Sequence, residues 1–139
     1  MENIEIFKTQ DNSFGLYNKE LDEIYHSKFG AYSEAVEKFV KPCLKIDNRP
    51  LDILDICYGV GYNTKAALKI LKNIKSIDCI EIDKNLIELS KDERFRLDIE
   101  VTDFTSFYIE DARIALKKLD KKYDIIFHDG FAPHKQAQL

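Results

Sequence analysis

The stretch "LDILDICYGVGYNT", Leu51 to Thr64, decides the fold. Leu51 to Cys57 is a short apolar run of the kind that forms a buried strand. It includes an acid, Asp55, and the chain then breaks at Gly59 and Gly61. Glycine lets a backbone turn sharply and approach a ligand closely. A helix after such a turn points its free N–H groups at an anion. Three ligand turns compete for the pattern. The dinucleotide fingerprint G-x-G-x-x-G needs a third glycine, where this chain has Thr64. The phosphate loop G-x-x-x-x-G-K-[ST] is absent. Asp55-Ile56-Cys57-Tyr58-Gly59-Val60-Gly61 fits D-x-G-x-G-x-G, a turn that holds S-adenosyl-L-methionine (SAM), with Cys57 at the first glycine. A plain strand–turn–helix corner would carry the same residues.

Strands and helices alternate outward from this point. Thr64 to Lys72 is expected to be a helix and Ser76 to Ile82 a second strand. Asn85 to Ser90 is a short helix, and a third strand lies within Asp98 to Ile109. Ala112 to Leu119 is helical, and Tyr123 to His128 is a fourth strand. Upstream, Ser33 is the expected N-cap of a helix carrying Ala35, Val36, Phe39 and Val40, with Pro42 near its end. "IEIF" and "FGLY" flank a polar turn, so residues 1–30 form a hairpin-like extension of short strands, or else a loose arm.

Residues 31–139 are then a Rossmann-like α/β domain, a parallel sheet with helices on both faces. Right-handed crossovers bring the strand C-termini to one edge, where ligands bind. With four strands the sheet is expected to be incomplete at its C-terminal side. The chain reads as the amino-terminal portion of a larger domain. Its fourth strand, with Ile125, Ile126 and Phe127, becomes an exposed edge open to self-association.

Composition narrows the functional classes. Hydrophobic residues make up 45% of the 139 and charged residues 33%, so a packed core with a charged surface is expected. A net charge of −4 gives no global attraction for nucleic acid, so an RNA partner would need a local basic patch or another segment. The three cysteines, Cys43, Cys57 and Cys79, form no C-x-x-C, and a reducing cytoplasm is the simplest setting. No apolar run approaches bilayer length, so no membrane partner is expected. No Cys/His cluster has metal-ligand spacing, so no metal is expected.

Acids recur at the strand ends. Glu81 lies 20 residues after Gly61, the spacing of a ribose-binding carboxylate. Asp83 is its rival on the same face. Asp111, in "IEDA", stands where an acid in SAM enzymes can accept the adenine amino group while the Ala112 N–H faces the ring; taken alone it reads first as a helix N-cap. Asp129, in "HDGFAP", would stand beside the reactive end of a ligand and take a proton from an attacking amine. Phe131 and Pro133 would give the substrate an apolar wall. His128 points away from Asp129 and reads as a buried structural histidine, and His134 lies in the tail.

Four segments carry a family resemblance: "YHSKFGAYSE" (Tyr25 to Glu34), "LDICYGVGYN" (Leu54 to Asn63), "IEID" (Ile80 to Asp83) and "DGFAP" (Asp129 to Pro133). The early "DNSFGLY" extends it. With these the chain resembles the methyltransferase domain of the MnmC-like family, tRNA 5-methylaminomethyl-2-thiouridine methyltransferases. The resemblance implies a class I SAM-dependent methyltransferase fold and methylation of an aminomethyl group on the wobble uridine of tRNA. It implies a cofactor site lined by Glu34, Gly59, Tyr62, Asn63, Glu81 and Asp111, to which the reading of the turn and strand ends adds Asp55, Gly61 and Ala112, with Asp129 facing the amine. His26 and Ser27 belong to the motif without an assigned role. Cys57 departs from the family's glycine. The flavin domain of some members has no counterpart here, so no FAD is expected. Other SAM-dependent amine or RNA methyltransferases, and a non-catalytic nucleotide-binding module, are the competing readings. A nicotinamide oxidoreductase is disfavoured by Thr64.

Overall fold

The computed structural model describes residues 3–101 and 105–130. At its centre is β4 (Leu51–Ile56), which is apolar along most of its length because both of its faces are covered. Ile53 joins a large core on one face, and Leu54 joins a smaller core under a helix on the other. Parallel neighbours flank it. The sheet order is β6 (Thr105–Tyr108), β5 (Ile74–Ile80), β4, β7 (Ile125–His128). This is the expected α/β architecture, and β7 is an edge strand among the described residues. The register pairs Ile56 with both Ile80 and His128, and Ile80 with Tyr108. The four C-terminal tips therefore end level with one another.

The larger core is covered by α1 (Ala31–Glu34) and α2 (Tyr62–Ile70), together with α3 (Lys84–Leu89) and α4 (Glu93–Arg96). Opposite them, α5 (Ala112–Lys118) packs Ala115 on Leu54 and Ile80. The short α4 escapes sequence reading because four residues show no period. Asp92 caps it, and the fully buried Phe95 anchors it. Strand β5 begins and ends two residues earlier than its composition indicates.

The first helix differs most from expectation. Its N-cap is Gly30, not Ser33, and Ser33 lies inside α1. The helix passes without a break into a π-helical turn, Ala35–Val40, and then a 3-10 segment, Lys41–Ile46. Pro42 opens that last segment, where its missing N–H costs nothing, so the helical path does not stop there.

Residues 1–30 contain no loose arm among those described. β1 (Ile4–Lys8), β2 (Phe14–Asn18) and an unforeseen third strand, β3 (Glu23–Ile24), make an antiparallel sheet. Leu16 is fully buried in the main core. Tyr62, the first residue of α2, fastens this sheet to the domain. Its Oη accepts from the Phe14 N–H at 3.0 Å and donates to the Phe14 carbonyl at 2.6 Å.

Lys65 is the second fastening. Its side chain is only 1% exposed, and its Nζ donates to the carbonyls of Val60, Ser90 and Phe95 at 2.9, 2.6 and 2.9 Å. One ammonium thus ties the glycine turn to the ends of α3 and α4. Burial pushes its pKa down to about 8. Replacing Lys65 by Met should lower stability by about 3 kcal/mol or more, because three buried carbonyls lose their donor. A denaturant titration with unchanged midpoint would contradict this.

Candidate functional site

The level strand tips form one rim. The Tyr58 N–H donates to the Ile80 carbonyl at 2.9 Å, and the Glu81 N–H to the Tyr108 carbonyl at 3.1 Å, which closes the turns above β4 and β5. After β4 the backbone enters the left-handed region three times, at Cys57 (φ 66°), Gly59 (φ 63°) and Gly61 (φ 88°). Gly61 has a second constraint, since a Cβ there would collide with the Tyr58 ring. Cys57 is the anomaly. A side chain in this region costs about 1–2 kcal/mol, and this one lies exposed just beyond β4, not within the strand. The left-handed turn is therefore kept at this position at a cost in strain.

Carboxylates gather around this turn. Glu81 is buried, and it accepts the Gly59 N–H at 2.8 Å and the Asp83 N–H at 3.0 Å. It shapes the turn while presenting its remaining acceptor capacity to the rim. Asp83, its rival, caps α3 through the Asn85 N–H. Asp55 is fully buried. Its Oδ2 accepts from Thr64 Oγ1 at 2.5 Å, and its Oδ1 has no partner among the described residues. Thr64, the residue that spoils the dinucleotide fingerprint, is thus the donor that holds this acid. Asp129 sits one residue past β7 and accepts from Asn63 Nδ2 at 3.2 Å.

These acids act on one another. Burial and the Asp129 charge push Glu34 up, with Lys38 opposing. Burial pushes Asp129 up against the Asn63 hydrogen bond and the Lys38 charge. Burial raises Glu81 against the Asp83 and Gly59 amides. Asp55 rises to about 7 through burial, against Thr64, with Asp129 and Glu81 adding repulsion. The Cys57 thiol is pushed up to about 11 by burial and by Glu81, Asp55 and Asp129, so it stays protonated. Glu34, Asp55, Glu81 and Asp129, which reach the rim from four different elements, therefore form one electrostatic cluster. None of them makes an ion pair among the described residues.

Other expected site residues have different surroundings. Asp111 lies beyond β6 at the same edge, where it caps α5 through the Arg113 N–H and pairs with the Arg113 guanidinium at 2.6 Å. Ala112 opens that helix. The Tyr62 hydroxyl is committed to Phe14, and its ring is covered edge-on by His26 and Phe95. His128, expected to be buried, is exposed, because β7 is an edge. Phe131, Pro133 and His134 lie outside the described residues. His26, which has no assigned role in the motif, packs on Tyr62 at 5.0 Å, and burial lowers its pKa to about 4. No sequence signal marked it beyond its place in "YHS". Among the described residues no group of three or more His, Cys, Asp or Glu is placed to hold a metal ion. No described helix is long and apolar enough to cross a membrane.

Comparisons with known proteins bear on this geometry. Residues 71–139 match a family described as S-adenosyl-L-methionine-dependent methyltransferase. The chain is similar to the crystal structure of MNMC2 from Aquifex aeolicus, with a TM-score of 0.70 and 28% identity over 94% of this chain and 50% of that one. This is a class I SAM-dependent methyltransferase fold. The chain is also 36% identical to the uncharacterized protein MJ0670 of Methanocaldococcus jannaschii, over 96% of its own length and 43% of the relative's. Spermidine synthase from Thermotoga maritima shares the fold at 17% identity and a TM-score of 0.68, over 94% of this chain and 45% of that one. The chain spans about half the length of the proteins it matches, or less.

Two outcomes test the site. Cys57→Gly should raise stability by about 1 kcal/mol by relieving the left-handed strain; a lower melting temperature would refute that account of the turn. The second concerns pH. Native Asp55 keeps a proton up to about pH 7 that the unfolded chain releases near pH 4. Between about pH 4 and 6.5 His26 opposes this, because its native form is neutral where the unfolded form is charged. Above 6.5 that opposition fades, but Lys65 takes it up, because the native amine begins to lose a proton that the unfolded chain keeps. Measured against Asp55→Asn, which keeps the other titrating groups, the wild-type chain should lose roughly 1 kcal/mol of stability between pH 6.5 and 8. An equal slope in the variant would exclude Asp55 as its source.

Proposed function

We propose that this chain is the SAM-binding portion of a methyltransferase that methylates the aminomethyl group on the modified wobble uridine of tRNA, acting in the cytoplasm. The observation that carries the reading is the meeting of Glu34, Asn63, Glu81 and Asp129 around the glycine turn. These residues come from the segments that resemble the MnmC-like family. The 28% identity to MNMC2 supports the same choice.

The residues fit SAM chemically. A set of mutually repelling carboxylates with no ion-paired cation among the described residues favours a positively charged ligand. Glu81 would accept hydrogen bonds from the ribose hydroxyls and Glu34 would face the cationic amino acid end, with Asp55 buried behind the turn. The N–H groups at the start of α2 suit a carboxylate. Asp111 and Ala112 stand where the adenine would lie, although Asp111 must share its oxygens with Arg113. When bound, SAM supplies an electrophilic methyl group for in-line displacement.

The chain's own contribution is position and proton transfer. An attacking amine must be neutral. Asp129, raised by burial, takes its proton while Asn63 holds the carboxylate at the rim. RNA docking would fall to local basic contacts or to another segment.

Calorimetry with SAM, and methyl transfer to tRNA bearing the aminomethyl uridine, test the proposal. Glu81→Ala should weaken SAM binding at least tenfold, through loss of a charged acceptor; unchanged affinity would remove Glu81 from the site. Asp129→Ala should lower turnover about 100-fold or more while leaving SAM affinity within about threefold. Equal losses in both would make its role structural. Transfer to small free amines, with none to tRNA, would replace this substrate with another amine.

A further inference from the structure

The residue that best explains how Glu34 reaches the rim lies 23 positions earlier in the chain. Asp11 sits in the turn between β1 and β2, and its two oxygens do different work. Oδ1 closes its own turn. It accepts from Thr9 Oγ1 at 2.7 Å, from the Ser13 N–H at 2.9 Å and from Ser13 Oγ. Oδ2 reaches across to α1, accepting the Ser33 N–H at 2.8 Å and Ser33 Oγ at 2.7 Å. Ser13 Oγ in turn accepts the Tyr32 N–H at 3.1 Å. The free N–H groups at the start of this helix are therefore met by the N-terminal sheet and not by a local cap.

Gly30 records the same contact in another way. Its φ of 169° is ordinary extended backbone, so conformation does not demand glycine. Space does, since a Cβ there would stand 2.6 Å from Asp11 Oδ2. Burial opposes ionisation of Asp11, but the hydrogen bonds from Ser13, Thr9 and Ser33 outweigh it and hold the carboxyl well below its usual range. Asp11 is therefore ionised at neutral pH. Glu34 follows Ser33 directly, and its own N–H bonds to the Gly30 carbonyl at 3.0 Å. The carboxylate that fixes Ser33 thus fixes the backbone from which Glu34 projects.

We infer that Asp11 is a positioning residue for the cofactor site, holding Glu34 at the rim by capping α1 from the N-terminal sheet. The inference rests on the reading of Glu34 as a SAM contact.

SAM titrations of the wild-type chain, Asp11→Asn, Glu34→Gln and the double variant test it, alongside amide hydrogen exchange at Ser33 and Glu34. Ser33→Ala is a milder second variant that removes one bond to Oδ2 and keeps the fold. Asp11→Asn should weaken SAM binding about tenfold and speed exchange at Ser33. Ser33→Ala should produce a smaller loss. The double variant should bind no worse than Glu34→Gln alone, because Asp11 acts through Glu34. Faster exchange with wild-type SAM affinity, or losses that add in the double variant, would overturn the positioning role. So would unchanged exchange at Ser33 in Asp11→Asn. A wild-type chain that fails to bind SAM would instead overturn the functional reading on which the inference rests.

Discussion

Everything at the rim depends on the parallel register of β6, β5, β4 and β7. Because the four strands end level, the residue just past each tip meets its neighbours' counterparts at one edge. The sequence puts acids at or near three of those tips, and α1 brings a fourth. Burial of these carboxylates disfavours their ionised forms, as the upward shifts of Asp55, Glu81, Asp129 and Glu34 record, and for Asp55 and Glu34 the charges of neighbouring acids add repulsion. A cationic ligand would relieve that repulsion. The fold thus keeps in place an arrangement that is unfavourable on its own and suited to binding.

The supports around the rim divide the labour. Thr64 holds Asp55, Asn63 holds Asp129, and the Gly59 and Asp83 amides hold Glu81. Lys65 ties the turn to α3 and α4, and Tyr62 ties it to the N-terminal sheet. Several of these groups follow the glycine turn within one helical turn. That concentration explains how a single short segment can both shape the glycine turn and anchor distant parts of the chain. It also explains why Tyr62 serves more clearly as a fastening than as a ligand contact.

Much of this was legible in the residues. The alternation of apolar runs with helical patterns is local chemistry, so the α/β class and the strand-tip acids could be read directly. Boundaries slipped where tertiary contacts overrode local preference. Ser33 has the composition of an N-cap, yet Asp11 takes that role because β1 and β2 fold back onto α1. Pro42 looks like a helix stop, but a change to 3-10 winding accommodates it. Lys65 resembles any surface lysine, because nothing in its neighbours announces three converging carbonyls.

The sequence by itself determined the alternation of the main-sheet strands with the longer helices, the glycine turn and the acids at the strand ends, because each is written in spacing and residue type over a few positions. Only the tertiary structure decided which acids face one another, which serve as caps, and that the first 30 residues are built into the site. Those outcomes depend on the register between strands and on contacts between residues far apart in the chain. Asp11 and Ser33 are 22 positions apart, and Tyr62 and Phe14 are 48 apart. Only the packed chain brings such groups within hydrogen-bonding distance.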